Sequence, residues 1–329
     1  GHDFGFGPSA VPLGIAHVQV ALGAVEQKLR SEQIFGYFPD AVVLDVLVKS
    51  RAVLEEGDHA VLVSDYAAFQ LRYGVGAAVI GEFTGRMSNG GERLRLSDSD
   101  GMTLFDFQYR DDDPWPRRAD GAGATLELID PANTLPEQYG KYYQWRGSTQ
   151  SGGSPGTAGA DPIGVVINEV LSHGNPGDGE PITIELFNPT DHVIDVGGLY
   201  LGESATPSLT FEIAEGTTIA ASGYLVLDQD DLNPTQENVS TSPLLLEENG
   251  EVDVWLLRAN ASGHVTYFVD DVHLGPIVSG EAWGRTTNGN GRFAPLAQVT
   301  LGQKNSRPSV GSIVISEIQF NPPEPSAEA

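Results

Sequence analysis

The chain has 329 residues, room for roughly two domains of about 150 residues, each large enough to bury a core without metals or crosslinks. Lys and Arg number 18 against 45 Asp and Glu, and the resulting formal charge of −27 disfavours phosphate backbones and anionic lipid as partners while favouring divalent cations. Cysteine is absent, which removes disulfides, thiolate metal sites and cysteine nucleophiles and leaves stability to sheet packing.

Forty Gly and 21 Pro are too many for long helices, and the chain between them is patterned apolar, so many short strands joined by turns are expected. No apolar run approaches the ~18 residues of a membrane-spanning helix. Residues 1–30 lack the basic start and continuous apolar core of a signal peptide, so any export signal is expected to be removed or to lie outside this sequence.

In chain order, Leu22, Val25 and Leu29 are spaced for one helical face, and Ala24–Ile34 reads as helical. Tyr66, Phe69 and Tyr73 share a second helical face that starts at a candidate Asp65 cap and ends at Gly74. Leu94 and Leu96, the turn-forming stretch Ser97–Gly101, and Phe105, Phe107 and Tyr109 form a hairpin pattern, with Asp106 and Gln108 on the solvent face.

Farther on, Ile182, Ile184 and Leu186 alternate with Thr183 and Glu185, and Val252, Val254 and Leu256 with Glu251 and Asp253, as in half-buried antiparallel strands. The expected strands of this half are 165–169, 182–187, 224–228, 251–257 and 265–269. Gly147–Asp161 and Gly302–Gly311 are rich in Gly, Ser and Pro and read as exposed connections between domains.

The two halves echo each other. Leu54–Asp65 (LEEGDHAVLVSD) parallels Ile219–Asp230 (IAASGYLVLDQD), and the hairpin pattern of Gly91–Tyr109 parallels that of Gly250–Val269. A third copy opens at Ser312–Pro322 (SIVISEIQFNP), which echoes Gly164–Pro176 (GVVINEVLSHGNP), so the expected organisation is a piece of a longer array.

Within the second copy, Val166–Glu169 (VINE), Ile184–Thr190 (IELFNPT), Val196–Leu201 (VGGLYL) and Gly216–Leu227 (GTTIAASGYLVL) resemble the successive opening strands and turn of the lamin tail domain family. That family is an immunoglobulin-like β-sandwich found in nuclear lamins and in many secreted bacterial proteins. Residues 54–157 resemble the latter two-thirds of another copy, in the style common beside spore-coat-H-like kinase domains, through Phe69–Gly74, Gly81–Leu96, Asp111–Pro116 and Gly152–Gly156. Residues 1–50 depart from the pattern. The resemblance implies an all-β chain of tandem immunoglobulin-like β-sandwiches with few short helices: 1–157, 162–307, and an opening strand of a further repeat in 311–329.

Residues with chemical potential fall into three groups. Asp98, Asp100, Asp111, Asp113, Asp228 and Asp230 supply hard oxygen ligands in loops, as calcium prefers, without a complete EF-hand loop; the other reading is that they cap turns. Seven histidines are scattered with no pair at metal-ligand helical spacing. Trp115, Tyr139, Tyr142, Tyr143 and Trp145 suit either a platform for sugar rings or the closed end of a sandwich.

No GxSxG elbow, HExxH or P-loop occurs, and a hydrolase or nuclease would need acids converging in a pocket. The expected function is therefore non-catalytic: a structural or scaffolding module of an extracellular bacterial surface or filament protein, contacting other copies of itself or neighbouring domains. The rival expectation is an accessory module that holds surface polysaccharide or another protein for a larger secreted enzyme.

Overall fold

The computed structural model describes residues 58–97, 103–172, 182–204, 211–232, 252–275 and 280–319, with the short segments 17–21, 42–43 and 47–48. The chain is mostly β, with several antiparallel sheets. It divides into two compact units, Gly1–Pro162 with Ala205–Pro207 and Ala259–Phe268, and Ile163–Ser204 with Ser208–Arg258 and Val269–Ala329. The helix expected over Ala24–Ile34 lies outside the described residues, as do Leu54–Gly57.

Before Pro162 the strands are β1 (His17–Ala21), β2 (Val42–Val43), β3 (Leu47–Val48), β4 (His59–Val63), β5 (Ala78–Glu82), β6 (Glu92–Ser97), β7 (Thr103–Tyr109), β8 (Leu126–Leu128) and β9 (Trp145–Gly147), with helix α1 (Tyr66–Tyr73). They form three sheets ordered β1-β4-β5-β3, β2-β6-β7 and β8-β9.

Strand β4 is buried from Ala60 to Val63, because both of its faces are covered. Ala60 and Leu62 cluster with Ile80, Phe83, Leu94 and Leu96, against which Phe105, Phe107 and Tyr109 of β7 pack. Val61 and Val63 cluster on the other side with Phe69 of α1. A continuous apolar run is what a strand covered on both faces requires.

Helix α1 forms where its sequence signals lie. The Asp65 side chain accepts from Ala68 N at 2.8 Å, and the chain leaves the helix at Gly74 with φ 77°, whose N–H returns to Gln70 O. By spanning the gap between β4 and β5 it brings β5 back parallel to β4, and β2 and β6 are parallel as well. Alternation along the sequence reports faces and not strand direction, so neither parallel ladder is legible from it.

The β6–β7 hairpin keeps the expected register, with Leu94 opposite Phe107 and Leu96 opposite Phe105. Phe107 is half-buried. Asp106 does not face open solvent as expected: Arg93 donates to it from Nε at 2.6 Å and Nη2 at 2.8 Å, Arg95 Nε lies at 3.3 Å, and its side chain is 17% exposed.

Beyond Pro162 the strands are β10 (Val166–Ser172), β11 (Ile182–Phe187), β12 (Ile194–Asp195), β13 (Tyr200–Gly202), β14 (Phe211–Glu212), β15 (Thr218–Ile219), β16 (Tyr224–Leu227), β17 (Val252–Ala259), β18 (Val265–Leu274), β19 (Ala282–Thr287) and β20 (Asn290–Pro295), with a single helical turn α2 (Gln229–Leu232) after β16. A five-stranded sheet, every neighbouring pair antiparallel, is ordered β16-β11-β10-β19-β20, beside a four-stranded sheet ordered β14-β13-β17-β18 and the pair β12-β15. The largest fully buried side chains here include Ile167, Ile184, Leu186, Leu199, Leu201, Ile213 and Ile219.

The expected strands 182–187, 224–228 and 265–269 coincide with β11, β16 and the start of β18, and in each unit an Asp shortly after a strand caps the helix that follows, Asp65 after β4 and Asp228 after β16. Two expectations change. All six residues of β11 are buried, Thr183 and Glu185 included, so this strand is covered on both faces. Residues 312–319 form no strand, and Ile313 and Ile315 stand 91% and 81% exposed, because no ladder among the described residues receives them.

Phe69 fills the cluster between β4 and α1, whereas Leu71 on the same helix is 73% exposed. Phe69→Ala is expected to cost about 3–5 kcal/mol in chemical denaturation. Leu71→Ala is expected to stay within about 0.5 kcal/mol.

Candidate functional site: a buried polar cluster under a loop

Among the described residues a group of buried polar side chains lies on β10 and β11, in the VINE and IELFNPT segments. An extra residue in β10 shifts the register between Ile167 and Glu169, so Ile167 pairs with Leu186 and Glu169 with Glu185. Asn168 is the inserted residue. The bulge keeps Ile167 and Val170 in step with apolar Leu186 and Ile184, and leaves Asn168 and Glu169 to Glu185. All three polar residues are fully buried.

Their cover is the loop after β20. Its ends close on each other through a bridge between Leu296 and Pro308, Ala297 N donating to Arg307 O and Ser309 N to Pro295 O. Thr300 donates to Glu169 twice, from N at 2.8 Å and from Oγ1 at 2.5 Å. Glu185 accepts from Gly302 N and, at 2.7 Å, from Asn168 Nδ2. Gly302 has φ +77°, the left-handed conformation that favours glycine, and this turn aims its N–H inward.

Two further asparagines close the network. Asn305 Nδ2 donates to Asn168 O and Arg285 O, both at 3.0 Å, while Asn288 Oδ1 accepts from Asn168 Nδ2 and Asn305 N. Asn288 Nδ2 reaches Tyr224 Oη at 3.0 Å. Leu301 of the loop packs on Leu171, Ala282 and Leu296. The loop lies this close because Gly284, the β19 partner of Glu169, has no side chain: a Cβ there would stand 2.9 Å from Asn305 Nδ2 and 2.8 Å from Leu296 Cδ1.

Burial pushes the Glu185 carboxyl up to about 7; its hydrogen bonds to Asn168 and Gly302 oppose the rise and the neighbouring Glu169 charge adds to it. Burial also raises Glu169, against the pull of its two bonds from Thr300. On the opposite face a separate ion pair completes the strand: Asp270 Oδ2 accepts from Arg285 Nη2 at 2.6 Å and from Ile167 N at 2.8 Å, while Arg285 Nε donates to Ile167 O.

At the end of β11, Asn188 is fully buried and holds the following turn. Its Nδ2 donates to His192 O at 2.7 Å and to Ile219 O and Ala220 O at 3.0 Å, and its Oδ1 accepts from Thr190 N and Oγ1.

The calcium candidates are dispersed among other tasks. Asp98 and Asp100 lie outside the described residues, as does the side chain of Asp230. Asp111 and Asp113 sit in the turn after β7, with Asp113 exposed. Asp228 caps α2 reciprocally: its Oδ1 accepts from Asp231 N at 3.3 Å and its N donates to Asp231 Oδ2 at 3.1 Å. Among the described residues no three His, Asp or Glu gather around one point.

The aromatic group packs largely inward. Trp145 stacks on Phe107 with centroids 5.6 Å apart, Trp115 is buried beside it at 6.3 Å, and Trp145 Nε1 donates to Tyr139 O at 2.8 Å. Tyr143 is 57% exposed and Tyr142 37%, but their rings meet edge to face at 82° and do not form one flat platform.

Sequence reading missed Thr300, Gly302, Asn288 and Asn305. The segment Gly302–Gly311 reads as an exposed connection by composition, and its polar residues carry no period that would point them at a strand. Glu185 reads as the solvent side of an alternating strand for the same reason. No protein-family model matches the chain, and no curated protein matches it.

Two measurements test these assignments. Asn188→Ala is expected to cost about 2–3 kcal/mol, since it strands buried carbonyls, and Asn188→Asp more, because a carboxylate would face them. Asp228→Ala is expected to cost about 1 kcal/mol as a lost cap, equally with chelator and with millimolar calcium. A cost that appears only in calcium would make Asp228 a ligand instead.

Proposed function

We propose that the chain is a non-catalytic structural module of an extracellular bacterial surface or filament protein, built from tandem lamin-tail-like, immunoglobulin-like sandwiches. The observation that carries this reading is the burial of the VINE and IELFNPT polar groups. Asn168, Glu169, Glu185 and Asn188 have no exposed surface, and their bonds go to the backbone, the 296–309 loop and one another. Groups in that position stiffen a domain, and they have no contact with a substrate in solution.

The partners in this reading are other copies of the chain or neighbouring domains of the same protein. The exposed Ile313, Ile315 and Ile318 repeat the pattern of Val165, Ile167 and Val170, which are buried in β10 and the residue before it, and they suit the opening strand of an adjacent unit. Electron microscopy of the native particle is expected to show regularly spaced modules in a layer or filament. Isolated single modules carrying hydrolytic activity would overturn the proposal.

A second reading, an accessory module for surface polysaccharide, is favoured by the exposure of Tyr142 and Tyr143 alone. Titration calorimetry against soluble polysaccharides decides it: binding that Tyr143→Ala weakens at least tenfold would establish this reading, while no heat at millimolar sugar is expected from a scaffold.

A further inference from the structure

Glu169 and Glu185 are register partners on adjacent strands, both fully buried, and among the described residues every group bonded to them is neutral: Thr300 N and Oγ1, Asn168 Nδ2 and Gly302 N. Residues opposite one another in an antiparallel pair have Cβ atoms about 5 Å apart. Two charges at that spacing repel, and the loop above them keeps out the water that would screen the repulsion.

The charged side chains around the pair leave this repulsion in place. On the loop, Lys304 and Arg307 are exposed, and on β20 so is Arg292. On β19, Arg285 turns to the opposite face and holds Asp270. Glu281, just before β19, accepts from Trp283, and Asp228, just after β16, caps α2. Strands β10, β11 and β16 carry no cationic residue. Of the four donors to the pair, three belong to the loop, so the loop both covers the carboxylates and is held by them.

We propose that residues 296–305 form a proton-dependent latch, closed on β10 and β11 while the Glu169–Glu185 pair carries at most one charge and loosened when both carboxyls ionise. Loosening gives both carboxylates the hydration that the closed loop withholds, and it uncovers Leu171 and Ala282, against which Leu301 of the loop packs. The direction follows from burial, which raises both groups. The closed state holds a proton that the open state releases, so closure is strongest below the ordinary carboxylate range and weakens as pH rises through about 7, where Glu185 titrates.

The chain has no cysteine, so Gln303→Cys provides a single site for a nitroxide label. Gln303 is exposed, and its backbone N donates to Thr300 O, so the label follows the loop without entering the pair. The electron spin resonance spectrum is expected to show slow motion at pH 5 and a growing fast component with a midpoint near neutrality. Glu169→Gln or Glu185→Gln in the labelled chain, with folding checked by circular dichroism, limits the pair to one charge and is expected to reduce the fast component at pH 8.5 several-fold. A spectrum unchanged between pH 5 and 8.5 in the labelled parent overturns the latch. So does a transition that survives unaltered in both glutamine variants, or a label that shows the fast component at every pH, pH 5 included, in both.

Discussion

Two carboxylates side by side under a cover, with no cationic side chain bonded to them among the described residues, are held by dipoles. The surroundings of β10 and β11 are organised to supply them. The bulge at Asn168 turns an amide toward Glu185, the loop after β20 returns to place Thr300 and Gly302 over the pair, and Asn305 and Asn288 tie that loop to the strand beneath. Asn288 passes the connection to Tyr224, whose ring lies 4.7 Å from that of Phe187, so the polar network ends against the apolar packing of β11 and β16. Removing any one of these groups leaves a buried partner unsatisfied, and that penalty exceeds the net worth of an ordinary hydrogen bond.

The first unit meets the same geometric demand, a central strand covered on both faces, with different chemistry. Its β4 is apolar on both sides, so α1 and the β6–β7 hairpin cover it by packing alone. Polar satisfaction is moved to the outer face of the hairpin, where Arg93 and Arg95 converge on Asp106. That exchange suits the chain's charge: with acids in large excess, Asp106 takes up two of the few arginines and Asp270 a third, while Glu169 and Glu185 are held by neutral donors.

What the sequence made legible was local. Asp65, Phe69 and Gly74 carry a complete start, face and stop for α1, and alternation through Leu94–Tyr109 fixes the hairpin register, because each signal is contained within a few residues. What remained hidden was non-local. The direction of β5 depends on α1 as a crossover, the second buried face of β11 depends on a loop more than a hundred residues away, and residues 312–319 share the pattern of β10 without the neighbours that give β10 its ladder. The polar cluster was half visible: Asn168, Glu169, Glu185 and Asn188 fall within segments that carry the resemblance, although Glu185 reads there as solvent-facing, and nothing local distinguishes Thr300 or Asn305 from other loop residues.

Gly284 and Asn305 fit together as a missing side chain and the amide that occupies its place. A residue larger than glycine at 284 would push Asn305 off the backbone oxygens of Asn168 and Arg285, and a shorter residue at 305 would leave those oxygens bare whatever stood at 284. The two positions therefore form one inherited unit. In chains descended from a common ancestor with this one they should change together or not at all, so a paired glycine and asparagine about 21 residues apart, downstream of an Asn-Glu strand, is a signature for finding relatives too divergent for whole-sequence comparison.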